Sequence, residues 1–333
     1  MVVKKTIDVA ALGEAMVEFN QATAGQPTYL QGFGGDTSNA VIAAARAGVQ
    51  TAYLTRLGAD TFGDALMALW QREGVDTLGI ERDETAPTGI YFVTHGPASS
   101  PDRQSGQSGH EFSYRRAGSA ASAMTPAWLT QSPHGSQSPT SLIASAKILH
   151  LSGISLAISP QACDTAFAAM QLARQAKTLV SFDSNLRLKL WPLERARACV
   201  RQAVSLCDIF LPSLEDMTSL TGLAEPEAIL DWGHQQGAKT VVLKLGSDGA
   251  LVSDGTRRMR LVGHRVPLVD ATGAGDCFCG NLLARIALGD VVFEAAHYAN
   301  AAAALAVQGY SAVGPLPYPA AVRALMKTST AVA

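Results

Sequence analysis

Residues 148–182 read ILHLSGISLAISPQACDTAFAAMQLARQAKTLVSF. Two short apolar runs, Ile148 to Leu151 and Thr178 to Phe182, flank a segment from Cys163 to Ala176 with helical periodicity. Strand, helix and strand in that order make a βαβ unit. The strands are continuously apolar rather than alternating, as in a parallel sheet covered on both faces. The same rhythm extends outward, with strands expected at Ile7 to Leu12, Thr51 to Leu57, Ile209 to Leu211 and Thr240 to Lys244. The expected fold class is α/β, a three-layer α/β/α sandwich on a mainly parallel central sheet.

Two stretches break this rhythm, approximately residues 16–33 and 89–115. Both carry short strand-like pieces and no helix, and they read as a small β-sheet projecting as a lid. Polar segments rich in Ser, Gly, Pro and Gln, residues 96–109 and 131–141, read as surface loops. The 333 residues are 47% hydrophobic, enough to bury a large core, and a single domain over 1–333 is expected. A formal charge of -2 leaves no footprint for nucleic acid or an anionic membrane, so a small ligand is the better partner. There is no leader-like N-terminus and no run of roughly 18 apolar residues, which points to the cytoplasm. Five cysteines without a C-x-x-C pair fit reduced thiols and argue against zinc. Cys277 and Cys279 read as small packing residues of an apolar helix.

Most of the chemistry lies in Val266-Pro-Leu-Val-Asp270-Ala-Thr-Gly273-Ala274-Gly275-Asp276-Cys-Phe-Cys-Gly280, read as strand end, glycine turn and helix start. Gly273 and Gly275 let the backbone approach a ligand and point N–H groups inward, at the positive end of the helix dipole. Such a turn, Gly273-Ala274-Gly275, can hold developing phosphate charge. Asp276 is expected to stay ionised there, because the dipole and N–H donors favour a carboxylate. It could then accept a hydroxyl proton. An aspartate that merely caps the helix is the plainer reading of the four residues alone.

The longer string from Asp270 to Gly280 resembles the C-terminal signature of the ribokinase-like carbohydrate kinases, also called the phosphofructokinase-B family. The N-terminal signature is matched by Gly34-Gly35-Asp36-Thr37-Ser38-Asn39-Ala40, which opens a helix ending near Gly48. The resemblance spans roughly residues 5–315 and implies a ribokinase-like fold, with Asp276 as catalytic base and Gly273, Ala274 and Gly275 as an anion hole. Gly34 and Gly35 would let a substrate near the backbone, and Asp36 and Asn39 would meet sugar hydroxyls. Ordinary P-loop NTPases are excluded, since no G-x-x-x-x-G-K-[ST] occurs.

For ATP, the resemblance implies Lys244, Gly246, Ser247 and Gly249 around phosphates and ribose, and Asn300 near the adenine. A plain hairpin turn is the alternative for Gly246 to Gly249. Magnesium is expected because it bridges phosphates and takes few protein ligands. The family's Asn-x-x-Glu pair is replaced here by Ser213 and Asp216, with Glu215 adjacent, so the acid that serves the metal through water stays open between them. A monovalent cation requirement also stays open.

Phe112-Ser113-Tyr114-Arg115-Arg116 and Asp183-Ser184-Asn185-Leu186-Arg187 resemble segments of 2-keto-3-deoxygluconate kinases. By that resemblance Arg115 and Arg187 bind the carboxylate of an acid sugar, with Tyr91 and Tyr114 closing over it. Neutral-sugar and nucleoside kinases of the same fold remain alternatives, as does a sugar sensor without catalysis. A Rossmann dehydrogenase lacks its G-x-G-x-x-G after the first strand. The lid has sheet edges that need cover, so a homo-oligomer through it is expected.

Overall fold

A computed structural model describes residues 4–95, 110–132 and 137–330. Its larger sheet runs β14 (Arg258–Leu261), β13 (Ala250–Ser253), β12 (Thr240–Lys244), β11 (Ile209–Leu211), β10 (Leu179–Asp183), β9 (Ala146–Ser152), β1 (Ile7–Leu12), β4 (Thr51–Gly58) and β5 (Val75–Asp76). A further strand, β6 (Ile80–Asp83), pairs with β4. From β12 to β5 the strands are parallel, while β13 and β14 add an antiparallel edge.

The helices are α1 (Asp36–Arg46), α2 (Thr61–Glu73), α3 (Pro139–Ser145), α4 (Gly153–Ala157), α5 (Pro160–Gln175), α6 (Leu193–Leu206), α7 (Leu214–Thr221), α8 (Pro226–Gln236), α9 (Ala274–Ala287), α10 (Val292–Ala306) and α11 (Pro319–Thr330). Strand β1 shows how the layers form. Ala10 and Leu12 face a core shared with α3, α5, α6 and α8. Val9 faces α1, α9 and α10 on the other side. Every residue of β1 from Val9 to Leu12 is buried, which is why the strand reads as an apolar run.

A second, four-stranded sheet has the order β3 (Tyr29–Gly34), β2 (Met16–Gln21), β7 (Ile90–His95), β8 (His110–Arg115). The projecting sheet expected at 16–33 and 89–115 is therefore present. Phe19 stacks on Phe92 and meets Phe62 of α2 edge-on, which seats one face of the small sheet on the body.

Two expectations fail here. Val266 to Val269 is not a strand; this stretch is held instead by Val269 and Asp270 N–H groups donating to the Val307 carbonyl. Pro139 to Ser141, expected in a loop, begins α3, because Ser138 caps it and Pro139 fits the first turn, where a missing N–H costs nothing. The expected loop 96–109 and residues 133–136 lie outside the described residues. Among the described residues no helix is long and apolar enough to cross a membrane.

Candidate active site

Order in the central sheet reverses at β1. The chain moves outward through β4 on one side and through β9, β10, β11 and β12 on the other. In open α/β sheets, ligands gather beyond the carboxyl ends of strands at such a switch point. That is where the polar residues converge. Glu14 follows β1, Ser152 ends β9, Asp183 ends β10, and Ser213 follows β11. Lys244 ends β12, and α1 and α9 aim their N-termini at the same place.

Asp276 lies in the first turn of α9, and its Oδ2 accepts a 2.8 Å hydrogen bond from Asn39 Nδ2 of α1. Asp36 accepts from Asn185 Nδ2 at 2.7 Å, and Lys244 Nζ donates to Asp183 Oδ2 at 2.7 Å. Three carboxylates and one ammonium thus share the cleft. The Asp276 carboxyl is pushed up to about 7, first by burial and then by the negative charges of Asp36 and Asp183, which outweigh Asn39 and Lys244. This departs from the expectation of a fully ionised Asp276: the helix dipole does not overcome burial and two neighbouring carboxylates. Asp36 is raised as well, chiefly by burial. Glu18, which accepts from Tyr91 OH at 2.5 Å, is also held up by burial.

Gly273 takes a left-handed φ of 76° with Ala312 packed against its Cα side, so a side chain there has neither conformation nor space. The N–H groups of Gly275 and Asp276, in the first turn of α9, have no carbonyl within their own helix to accept them. They are donors available to an anion. Asp270 fixes the turn from behind, accepting from Thr272 N at 2.9 Å and from Ser311 N at 3.1 Å.

Gly34 and Gly35 are also required by packing within the protein. A Cβ on Gly34 would fall 2.3 Å from the Tyr91 hydroxyl, and one on Gly35, where φ is 116°, would fall 2.5 Å from the Glu14 carbonyl. These glycines let the small sheet and β1 close on the start of α1.

Gly246, Ser247 and Gly249 form the turn between antiparallel β12 and β13, so locally it is a hairpin. It continues β12 at the cleft end of the sheet. Gly249 packs against Leu261 to Gly263, and Asn300 of α10 donates to the Val262 carbonyl at 2.8 Å. Asn300 and the turn are therefore joined through one segment. Ser213 caps α7 by accepting from Asp216 N, and Asp216 accepts from Ser184 Oγ at 2.7 Å. Glu215 is exposed, whereas Asp216 faces Ser184 and bears on Lys244, which favours Asp216 as the acid for a metal held through water. A single carboxylate facing the cleft suits magnesium, which keeps most of its own waters.

Tyr91 and Tyr114 stack at 5.6 Å between centroids on the face of the small sheet turned to Asp276. Successive strand residues point to opposite faces. Arg115 is accordingly on the other face, exposed, with its guanidinium on Ser113 Oγ and the Tyr114 carbonyl. The structure does not bring Arg115 and Arg187 together. The two arginines that bear on the Tyr114 hydroxyl are Arg187 and Arg116. Arg116 pairs with buried Glu14, which also accepts from Ser119 Oγ at 2.5 Å. Sequence reasoning passed over Asp183, Asn185, Glu14 and Arg116. Asp183 and Asn185 stand in the string that ends at Arg187, and Arg116 lies two residues from Tyr114 and so on its face, whereas Glu14 carried no such signal.

Comparison with known proteins agrees with this geometry. The profile described as pfkB family carbohydrate kinase matches residues 6–319. A 2-dehydro-3-deoxygluconokinase of Thermoproteus tenax is 32% identical over 328 residues, covering 96% of this chain and 94% of that protein. Fructokinase-2 of Solanum lycopersicum is 32% identical over 295 residues, covering 86% and 84%. Among solved structures, fructokinase from Vibrio cholerae O395 with fructose, ADP and calcium ion bound superposes with a TM-score of 0.81 at 28% identity, covering 96% and 99%.

Proposed function

Because the chain belongs to the pfkB family of carbohydrate kinases and is a sugar kinase, we propose that it phosphorylates 2-keto-3-deoxygluconate with ATP, giving the 6-phosphate. Asp276 takes the proton of the terminal hydroxyl. The freed oxygen attacks the γ-phosphorus, the bond to the bridging β,γ-oxygen breaks, and ADP leaves with that electron pair. A base whose pKa lies near neutrality is well matched to this task. The Gly273-Ala274-Gly275 turn holds the transferring group with its amides. Lys244 and the Gly246 to Gly249 hairpin take the nucleotide phosphates, with Asn300 toward the adenine. Asp36 and Asn39 meet sugar hydroxyls. Asp216 would hold magnesium through water, and the metal would supply neutralisation of phosphate charge.

The acid sugar is supported above all by Arg187, which is exposed at the cleft beside Tyr114 and whose guanidinium donates to the neighbouring Leu186 carbonyl. Its remaining donors can bind a carboxylate in pairs, with Arg116 replacing Arg115 as the second cation. Fructose is the competing substrate, given the equal identity to a fructokinase. An ADP-release assay over 2-keto-3-deoxygluconate, fructose, ribose and adenosine separates them. Arg187→Ala is expected to raise KM for the acid sugar about tenfold or more with kcat little changed. A clear preference for fructose by the native enzyme sinks the acid-sugar reading. We further propose a cytoplasmic enzyme, in keeping with its five free cysteines, and a homodimer through the small sheet.

A further inference from the structure

Strand β10 ends in a buried carboxylate that the site has so far left without a task. Asp183 is 3% exposed and holds Lys244 Nζ at 2.7 Å. Cys279 of α9 closes the group, with its Sγ 3.3 Å from Asp183 Oδ2 and 3.6 Å from Lys244 Nζ. Lys244 Nζ also stands 3.7 Å from the place a Cβ on Gly275 would occupy. The ammonium is therefore next to the turn whose amides point at an anion. We infer that Asp183 is a positioning residue, which keeps Lys244 charged and aimed at the Gly273-Ala274-Gly275 turn, so that the ammonium meets the phosphoryl group in transfer.

The physical case is one of compensation. Burial alone would drive an ammonium toward its neutral form, and a free lysine would swing toward solvent. Here burial works against the Lys244 charge, yet the Asp183 carboxylate holds its pKa above the ordinary lysine value. The other groups that face Lys244 are Asp216, Asp276 and His150, the last kept neutral by burial with a pKa of about 4. Asp183 Oδ1 accepts from Asn185 N at 3.2 Å, so one carboxylate sets both the lysine and the loop that carries Asn185. An electropositive group fixed in advance costs no reorganisation when charge develops.

This inference rests on the kinase reading, and two variants separate it from a merely structural role. Asp183→Asn keeps an acceptor for Asn185 N but turns an amide toward Lys244. Lys244→Met removes the ammonium and leaves Asp183. Both are expected to lower kcat about 10- to 100-fold with sugar KM within about threefold. Their acid limbs should move oppositely. Asp276 is raised first by burial and then by Asp36 and Asp183, and lowered by Asn39 and Lys244, while Tyr91, Cys277 and Cys279 face it in protonated form. Asp183→Asn thus shifts the acid limb of kcat to lower pH, and Lys244→Met shifts it to higher pH. Parallel shifts, or none, overturn the inference.

A second measurement does not need turnover. Acylation of Lys244 by acetic anhydride at pH 8, read by peptide mass spectrometry, is expected to be slow in the native enzyme. It should be at least tenfold faster in Asp183→Asn, where the unpaired amine loses its proton. Equal rates overturn the pairing even in an active enzyme. A native enzyme that phosphorylates no sugar overturns the kinase reading instead, with the labelling still deciding Asp183.

Discussion

Asp276 is caught between two demands. Catalysis as proposed needs its carboxylate, whereas burial, with the Asp36 and Asp183 charges beside it, pushes the carboxyl up to about 7. In the unfolded chain the same group would titrate near 3.9. A raised carboxyl binds its proton more tightly when folded, so this stabilisation is present at low pH and is lost as pH rises through about 7. Partial access to solvent discounts the effect to the order of 1–2 kcal/mol. Activity should run the other way, with kcat falling as pH drops below about 7. Asp276→Asn makes both signs visible in one protein. It is expected to lose roughly 10²–10⁴ in kcat, while its melting temperature at pH 8 rises by a few degrees over native and the gap narrows by about pH 5 and closes at about pH 4. Calorimetry and initial rates across pH check both, and native turnover by this variant removes Asp276 as base.

Two helices carry the site, and their contact is set by one missing side chain. A Cβ on Gly280 of α9 would fall 2.1 Å from the Ala40 carbonyl and 2.8 Å from Ala43 Cβ of α1. Only with glycine there can Asn39 of α1 reach Asp276 of α9. Gly280→Ala should therefore cost roughly 1–3 kcal/mol by overpacking and lower kcat together with the melting temperature. Gly275 is the control on the same helix. Among the described residues only Lys244 Nζ comes within 4 Å of where its methyl group would stand, at 3.7 Å, so Gly275→Ala is expected to leave the melting temperature unchanged while kcat drops about tenfold or more. At this scale the sequence was legible where the signal is local. Strands β1, β11 and β12 lie where their apolar runs predict, residue for residue. Val266 to Val269 misled because an apolar run says nothing about whether a strand partner is at hand. Asp183 and Lys244 lie on separate strands 61 residues apart, so neither announces the other. Arg115 and Arg116 differ only in strand parity, which period-two counting from Tyr114 resolves and family likeness alone did not.

For the whole molecule, the small sheet is the part with unfinished edges. Its outer strands β3 and β8 each leave one side without a strand partner among the described residues. Leu30 on β3 is 63% exposed, and no lysine or proline lies within β3 to discourage edge pairing. The opposite geometry holds in the body, where the central sheet is sandwiched by helices and its site residues are fixed from several strands at once. If two copies pair through this small sheet, as proposed, each buries the Leu30 edge of the other and steadies Tyr91 and Tyr114 over the cleft. Light scattering should then give twice the chain mass for the native protein. Leu30→Lys, placing a charge on the edge, should give a monomer that keeps its melting behaviour but shows a raised KM for sugar, since the tyrosine face loses support. A native monomer rules the dimer out. A Leu30→Lys protein that stays dimeric moves the interface elsewhere on the surface.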